Sequence, residues 1–241
     1  MDQKKRSIVY ILPNMFTASS IFAGVLSSIY SIQGEFTTAA WLIIIALIFD
    51  GLDGRIARLT NTCSRFGVEF DSLADLVAFG VAPAILLYMY AGHSFGRTGI
   101  VTTSLYVIFG AIRLARFNVM TTQSEPSVFI GVPIPTAAVF ISVLILLFQE
   151  YRFLTHFSYI LIIASITVSL LMVSNIRYPS FKKLNFSRRN TGRLLILTIC
   201  IAFVVFVYPI EGFATIFTFY ILYGVIRAGL NLKKRTINLH K

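Results

Sequence analysis

Four aspartates crowd into one short stretch of the chain, DGLDGRIARLTNTCSRFGVEFDSLAD: Asp50, Asp53, Asp71 and Asp75. Asp50 and Asp53 stand at i, i+3 and Asp71 and Asp75 at i, i+4, so on helices each pair projects from one face. The segment between the pairs is short enough to lay the two helix ends side by side, closing all four carboxylates into one pocket. Two like charges 4 Å apart repel by about 4 kcal/mol at an effective dielectric of 20. Protons or metal cations must relieve that repulsion. Hard divalent ions take oxygen ligands, and Mg2+ is commonly held by a few carboxylates together with phosphate oxygens. A two-metal site clamping a diphosphate fits the pattern. Gly54 and Gly67 let a phosphate or nucleotide approach the backbone. Arg58, one helical turn beyond Gly54, offers a fork of donors to a phosphate.

The elements that must position these residues are membrane helices. Of the 241 residues 56% are hydrophobic and 13% charged, and the mean hydropathy is +0.79, far from a soluble domain. A hydrocarbon core about 30 Å thick needs roughly 20 apolar residues per helix. Spans are expected at about 13–32, 36–52, 71–91, 99–119, 134–150, 156–175, 193–210 and 212–231. The fold class is therefore all-α: a polytopic helical bundle of about eight transmembrane helices, with six or seven as alternatives because only YPIEGF divides the last pair. Residues 1–241 read as a single membrane domain with its chemistry at 50–75, and the basic, then apolar, N-terminus reads as a retained first helix.

Eight spans place both termini on one side. Of the 21 Lys and Arg residues only Arg97 and Arg152 then fall opposite, a positive-inside asymmetry that puts the termini and the 53–70 loop in the cytoplasm of a cell-membrane protein. The net charge of +11 lies in short loops rather than one interleaved patch, which points to anionic lipid headgroups and not to nucleic acid. Cys63 and Cys200 lack metal or disulfide spacing, and His93, His156 and His240 are scattered.

The order Asp50, Asp53-Gly54, Ala57-Arg58, Gly67, Asp71, Asp75 resembles the signature of the CDP-alcohol phosphatidyltransferases at every fixed position. The resemblance implies that the four aspartates hold two divalent ions, Mg2+ or Mn2+. It also implies that Gly54, Arg58 and Gly67 contact the CDP moiety and that Asp75 is the general base. Ser64 is a further residue for the CDP-lipid site, as are Asn14 and Thr17, for which helix capping and interhelical hydrogen bonding are the alternative roles. PNMFTASS at 13–20, DSLADLVAFGVAPA at 71–84, RLARFN at 113–118, GVPIP at 131–135 and SNIRYPSFK at 174–182 resemble the phosphatidylserine-forming branch of that family.

What the resemblance implies is attack of the L-serine hydroxyl on CDP-diacylglycerol, or an ether-lipid analogue, by a homodimer in the membrane. Serine brings a carboxylate that needs a cationic partner, and Arg113, Arg116, Arg177 and Lys182 stand at cytoplasmic helix ends to supply it. Two rivals remain at this level. Another transferase of the family would accept glycerol 3-phosphate or inositol phosphate through a cation cluster. A divalent-cation transporter would line its path with the same acids but has no use for Gly54 or the Arg58 fork.

Overall fold

The computed structural model describes residues 3–60, 62, 64–121, 129–178 and 207–239. They form a bundle of helices. In chain order these are α1 (Gln3–Ile32), α2 (Phe36–Leu59), α3 (Arg65–Asp75), a wide π-helical turn (Leu76–Val81), α4 (Ala82–Tyr90), α5 (Arg97–Thr121), α6 (Ile134–Glu150), α7 (Tyr159–Val173) and α8 (Pro209–Leu239). Short 3-10 turns at Gly92–Phe95 and Arg152–Phe157 connect α4 to α5 and α6 to α7. Among the described residues the extended backbone pairing is one antiparallel contact of two-residue strands, β1 (Phe129–Ile130) with β2 (Arg177–Tyr178).

Among the described residues five helices are long and apolar enough to cross a membrane: Ile11–Ile32, Phe36–Leu59, Arg65–Tyr90, Arg97–Val119 and Pro209–Arg227; Ile134–Glu150 and Tyr159–Val173 are shorter and apolar. The chain is thus a helical membrane protein. The span expected at 193–210 falls almost entirely outside the described residues. The helix at the N-terminus starts at Gln3 instead of 13 and the last runs to Leu239 instead of 231, and the two boundaries beside the acids shift as well. The second helix runs on to Leu59 instead of stopping at 52, and the third starts at Arg65 instead of 71. Hydropathy falls wherever charges begin, whereas the backbone continues its hydrogen-bond ladder through good helix formers such as the RIARL run.

The burial pattern is that of a bundle whose outer surface meets hydrocarbon. Ile43, Phe79, Leu86, Leu87, Ile134, Ile141 and Ile145 are fully enclosed, while Phe22, Ile48, Ile163, Leu170, Phe219 and Ile226 point outward and are exposed. In water such a surface would aggregate; in lipid it costs nothing. Because lipid gives helices no hydrophobic reason to associate, close backbone approach and polar contacts must do so. Accordingly α1 lies along α2 over Ala39, Ala40 and Ala46, with Ser27 Oγ donating to the Ala39 carbonyl at 2.8 Å and Ser20 Oγ to that of Ala46 at 3.3 Å. The α3–α4 unit packs on α1, α5 runs beside α7, and α6 fills the centre against α2 and α8.

Candidate active site

The acidic pairs stand on the C-terminal half of α2 and the last turn of α3. Thr60 closes α2, its backbone N–H and its hydroxyl both turned back to the Ile56 carbonyl. A four-residue link then reaches Ser64, which caps α3: its extended backbone (φ −125°, ψ 153°) lets Oγ accept from the Gly67 N–H at 3.0 Å, satisfying one of the free donors of a first turn. α3 then packs against α1, and the acids it carries reach those of α2.

One carboxylate oxygen each from Asp50, Asp53 and Asp71 lies within 4.8 Å of the others. Asp75, one turn further along α3, has its carboxyl within hydrogen-bonding reach of Asp50. Its Oδ1 is buried and has no hydrogen-bond partner among the described residues. Asp53 is 5% exposed and accepts a 2.7 Å hydrogen bond on Oδ2 from Thr17 Oγ1, itself 4% exposed. Buried acceptors without donors are costly. Three convergent carboxylates and a fourth with an orphan oxygen make an all-oxygen set that fits a hard divalent cation. The acidic group is therefore suited to hold a metal.

Beside the acids opens a cavity of about 200 Å3. Pro13, Asn14 and Thr17 of α1 form one wall, Asp53, Gly54, Ala57 and Arg58 of α2 another, and Thr62, Ser64, Gly67, Val68 and Asp71 close it. All six residues expected at a CDP-lipid site, Asn14, Thr17, Gly54, Arg58, Ser64 and Gly67, thus line one opening together with two of the aspartates. The glycines matter for space. A methyl on Gly54 would sit 3.7 Å from Arg58 Nη1, so the guanidinium lies over the bare helix face there. A methyl on Gly67 would sit 3.2 Å from Ser64 Oγ and 3.8 Å from Asn14 Oδ1. The positive end of α3 and the Arg58 fork face carboxylates across a small gap, an arrangement for an anion and cations together.

The four cations expected at an acceptor site separate. Arg113, on α5, is 7% exposed, close enough to Asp75 for their charges to interact, and stacked over the Phe117 ring at 5.6 Å. Arg116 instead donates from Nη1 to the Val173 carbonyl at 2.9 Å and Asn175 Oδ1 at 3.3 Å, and from Nη2 to the Met172 carbonyl at 3.3 Å and the Ser174 carbonyl at 3.4 Å. It gathers the carbonyls left unpaired at the end of α7. Arg177 lies in β2, paired with Ile130, and Lys182 lies outside the described residues.

Three contacts are not readable from the sequence pattern. Asn118 Nδ2 donates to Ser72 Oγ at 2.9 Å, tying α5 to α3 next to Asp71. Tyr220 of α8 lies near Arg113. Gly131, with φ +75°, packs against the Met172 carbonyl and donates its N–H to that of Ile176 at 2.9 Å. The GVPIP, RLARFN and SNIRYPSFK blocks, far apart in sequence, therefore converge at the end of α7. Only the unusual glycine-proline grouping hints at this, since which carbonyls Arg116 meets is a long-range matter.

Residues 10–173 match the model of one protein family, CDP-alcohol phosphatidyltransferase. A Helicobacter pylori (strain ATCC 700392 / 26695) protein named CDP-diacylglycerol--serine O-phosphatidyltransferase is 49% identical over 234 residues, 97% of each chain. A Bacillus subtilis (strain 168) protein of the same name is 35% identical over 182 residues, 76% of this chain and 97% of its own. The archaetidylserine synthase of Methanothermobacter thermautotrophicus is 40% identical over 181 residues, 74% of each chain.

Proposed function

Since the chain belongs to the CDP-alcohol phosphatidyltransferase family, we propose that it transfers the phosphatidyl group of CDP-diacylglycerol to L-serine, giving phosphatidylserine and CMP. The observation that carries this reading is the single cavity in which Gly54, Arg58 and Gly67 stand against Asp53 and Asp71. It joins a phosphate-binding wall to an acidic one, and relatives covering nearly the whole chain are named for serine as acceptor.

In the proposed reaction the serine hydroxyl oxygen attacks the phosphorus that carries diacylglycerol. The bond from that phosphorus to the bridging oxygen breaks, and CMP leaves with the electron pair. Asp75, the acid with an orphan oxygen, accepts the hydroxyl proton. Asp50, Asp53, Asp71 and Asp75 are the residues that hold Mg2+ or Mn2+, two ions per site. The chemistry those ions supply when bound is neutralisation of the diphosphate and of the charge on departing CMP. Thr17 orients Asp53, and Arg58 with the first turn of α3 receives a phosphate. Arg113 is the partner of the serine carboxylate, because it alone of the described acceptor residues combines burial with proximity to Asp75. Asn14 and Ser64 shape the floor beneath the nucleotide. The charge asymmetry supports a site and termini facing the cytoplasm, and family resemblance supports a homodimer.

The test is CMP release by purified protein from CDP-diacylglycerol offered serine, glycerol 3-phosphate or inositol phosphate in turn, for wild type and Asp75→Asn. Release with serine alone, lost in Asp75→Asn, is expected; release driven by either phosphorylated acceptor refutes the choice of serine. Arg113→Ala should raise the serine KM with little change in the KM for CDP-lipid.

A further inference from the structure

Immediately after Asp75 the third helix changes its winding. Leu76–Val81 forms a π-helical turn in which the Ala82 N–H donates to the Val77 carbonyl five residues back. Such turns take up an extra residue and so offset everything before them by about one residue's rotation, about 100° on an α-helix. Asp71 and Asp75 lie on the N-terminal side of this turn. On its C-terminal side lies the face of Ala82, Ala84, Leu86 and Leu87 that fills the core. The turn therefore lets one helix aim its acids at α2 and its apolar face at α6.

A π turn costs more than an α turn and persists only where something holds it. Two features do so here. Pro83 has no N–H, so the carbonyl four residues earlier, Phe79, has no α-helical donor. The Tyr106 hydroxyl of α5 donates to that carbonyl at 3.1 Å, and Tyr106 is 1% exposed, so no water substitutes for it. α1 also closes down on the turn. A methyl on Gly24 would come within 2.7 Å of the Ala78 Cα.

We propose that the Tyr106–Phe79 hydrogen bond holds this π-helical turn open and thereby sets Asp71 and Asp75 against Asp50 and Asp53, making Tyr106 a positioning residue for the acidic site. This rests on the reading of the four aspartates as a metal site. Tyr106 acts through the helix and meets neither substrate.

The experiment uses the full chain in nanodiscs and three proteins: wild type, Tyr106→Phe, and Tyr106→Phe with Pro83→Ala. The second change returns an N–H to position 83, giving the Phe79 carbonyl an α-helical donor, so the double variant keeps its hydrogen bonds while the turn closes. Mn2+ binding is titrated by electron paramagnetic resonance without substrate, and CMP release gives kcat and the serine KM. Both variants are expected to bind Mn2+ about tenfold more weakly, the range seen when support for a ligand is removed, with lowered kcat and unchanged serine KM. Wild-type Mn2+ affinity in either variant, or an effect confined to the serine KM, overturns the proposal. So does failure of both variants to fold, which would make the contact a folding requirement rather than a setting of the site. Should wild type itself bind no Mn2+, the metal reading falls and this inference with it; wild-type binding with unaffected variants removes this inference alone.

Discussion

Replacing Thr17 by valine keeps the side-chain shape and deletes one donor. Thr17 and Asp53 are both largely buried at the edge of the cavity, and the bond between them is 2.7 Å long. A hydrogen bond to a charged group contributes about 1.5–3 kcal/mol. At about 1.4 kcal/mol per decade, Asp53 without its donor should hold a cation roughly ten- to a hundredfold more weakly, the range found for outer partners of metal ligands. The assay is CMP release against Mg2+ concentration, with Thr17→Ser as a control that keeps the hydroxyl. The valine variant should need roughly tenfold or more additional Mg2+ for half-maximal rate, and the serine variant should track wild type. A valine variant with wild-type Mg2+ dependence would show that Thr17 packs α1 on α2 and does nothing for Asp53.

Gly67→Ala places a methyl 3.2 Å from Ser64 Oγ and 3.8 Å from Asn14 Oδ1; the cap must shift, and the KM for CDP-lipid should rise several-fold while the serine KM holds. Arg116→Ala frees the carbonyls of Met172, Val173 and Ser174 and should lower the melting temperature, by about 1–3 kcal/mol of stability, without altering the serine KM; a selective rise in that KM would return Arg116 to the acceptor site. Gly131→Ala combines a strained φ of +75° with a clash against the Met172 carbonyl, and should cost more stability than Arg116→Ala in the same melt.

The acids are legible in the sequence because helical spacing is local: i, i+3 and i, i+4 determine a shared face wherever the helix lies. The limits of the helices are not. Hydropathy ends α2 near Leu52, yet Gly54, Ala57 and Arg58 ride on the same helix, and Gly67, which reads as part of a connecting segment, is in the first turn of α3. The π turn is equally hidden, since LVAFGVAPA reads as an ordinary apolar helix and its winding depends on a hydroxyl 27 positions away. Among Arg113, Arg116 and Arg177 the sequence offers no choice, because charge and position at a helix end are common to all three. Burial beside Asp75 distinguishes Arg113, and only tertiary packing confers burial.

The cavity and the acids draw every lining residue from between Pro13 and Asp75, while Arg113, Asn118 and Tyr220 approach from α5 and α8. On the proposed reading, the donor wall would come from one early stretch of the chain, while Arg113 would bring the acceptor's carboxylate to Asp75 from a later helix. Substitutions after residue 100 would then alter acceptor choice with the donor wall unchanged, and during synthesis that wall would leave the ribosome before the helices that bear Arg113 and Tyr220.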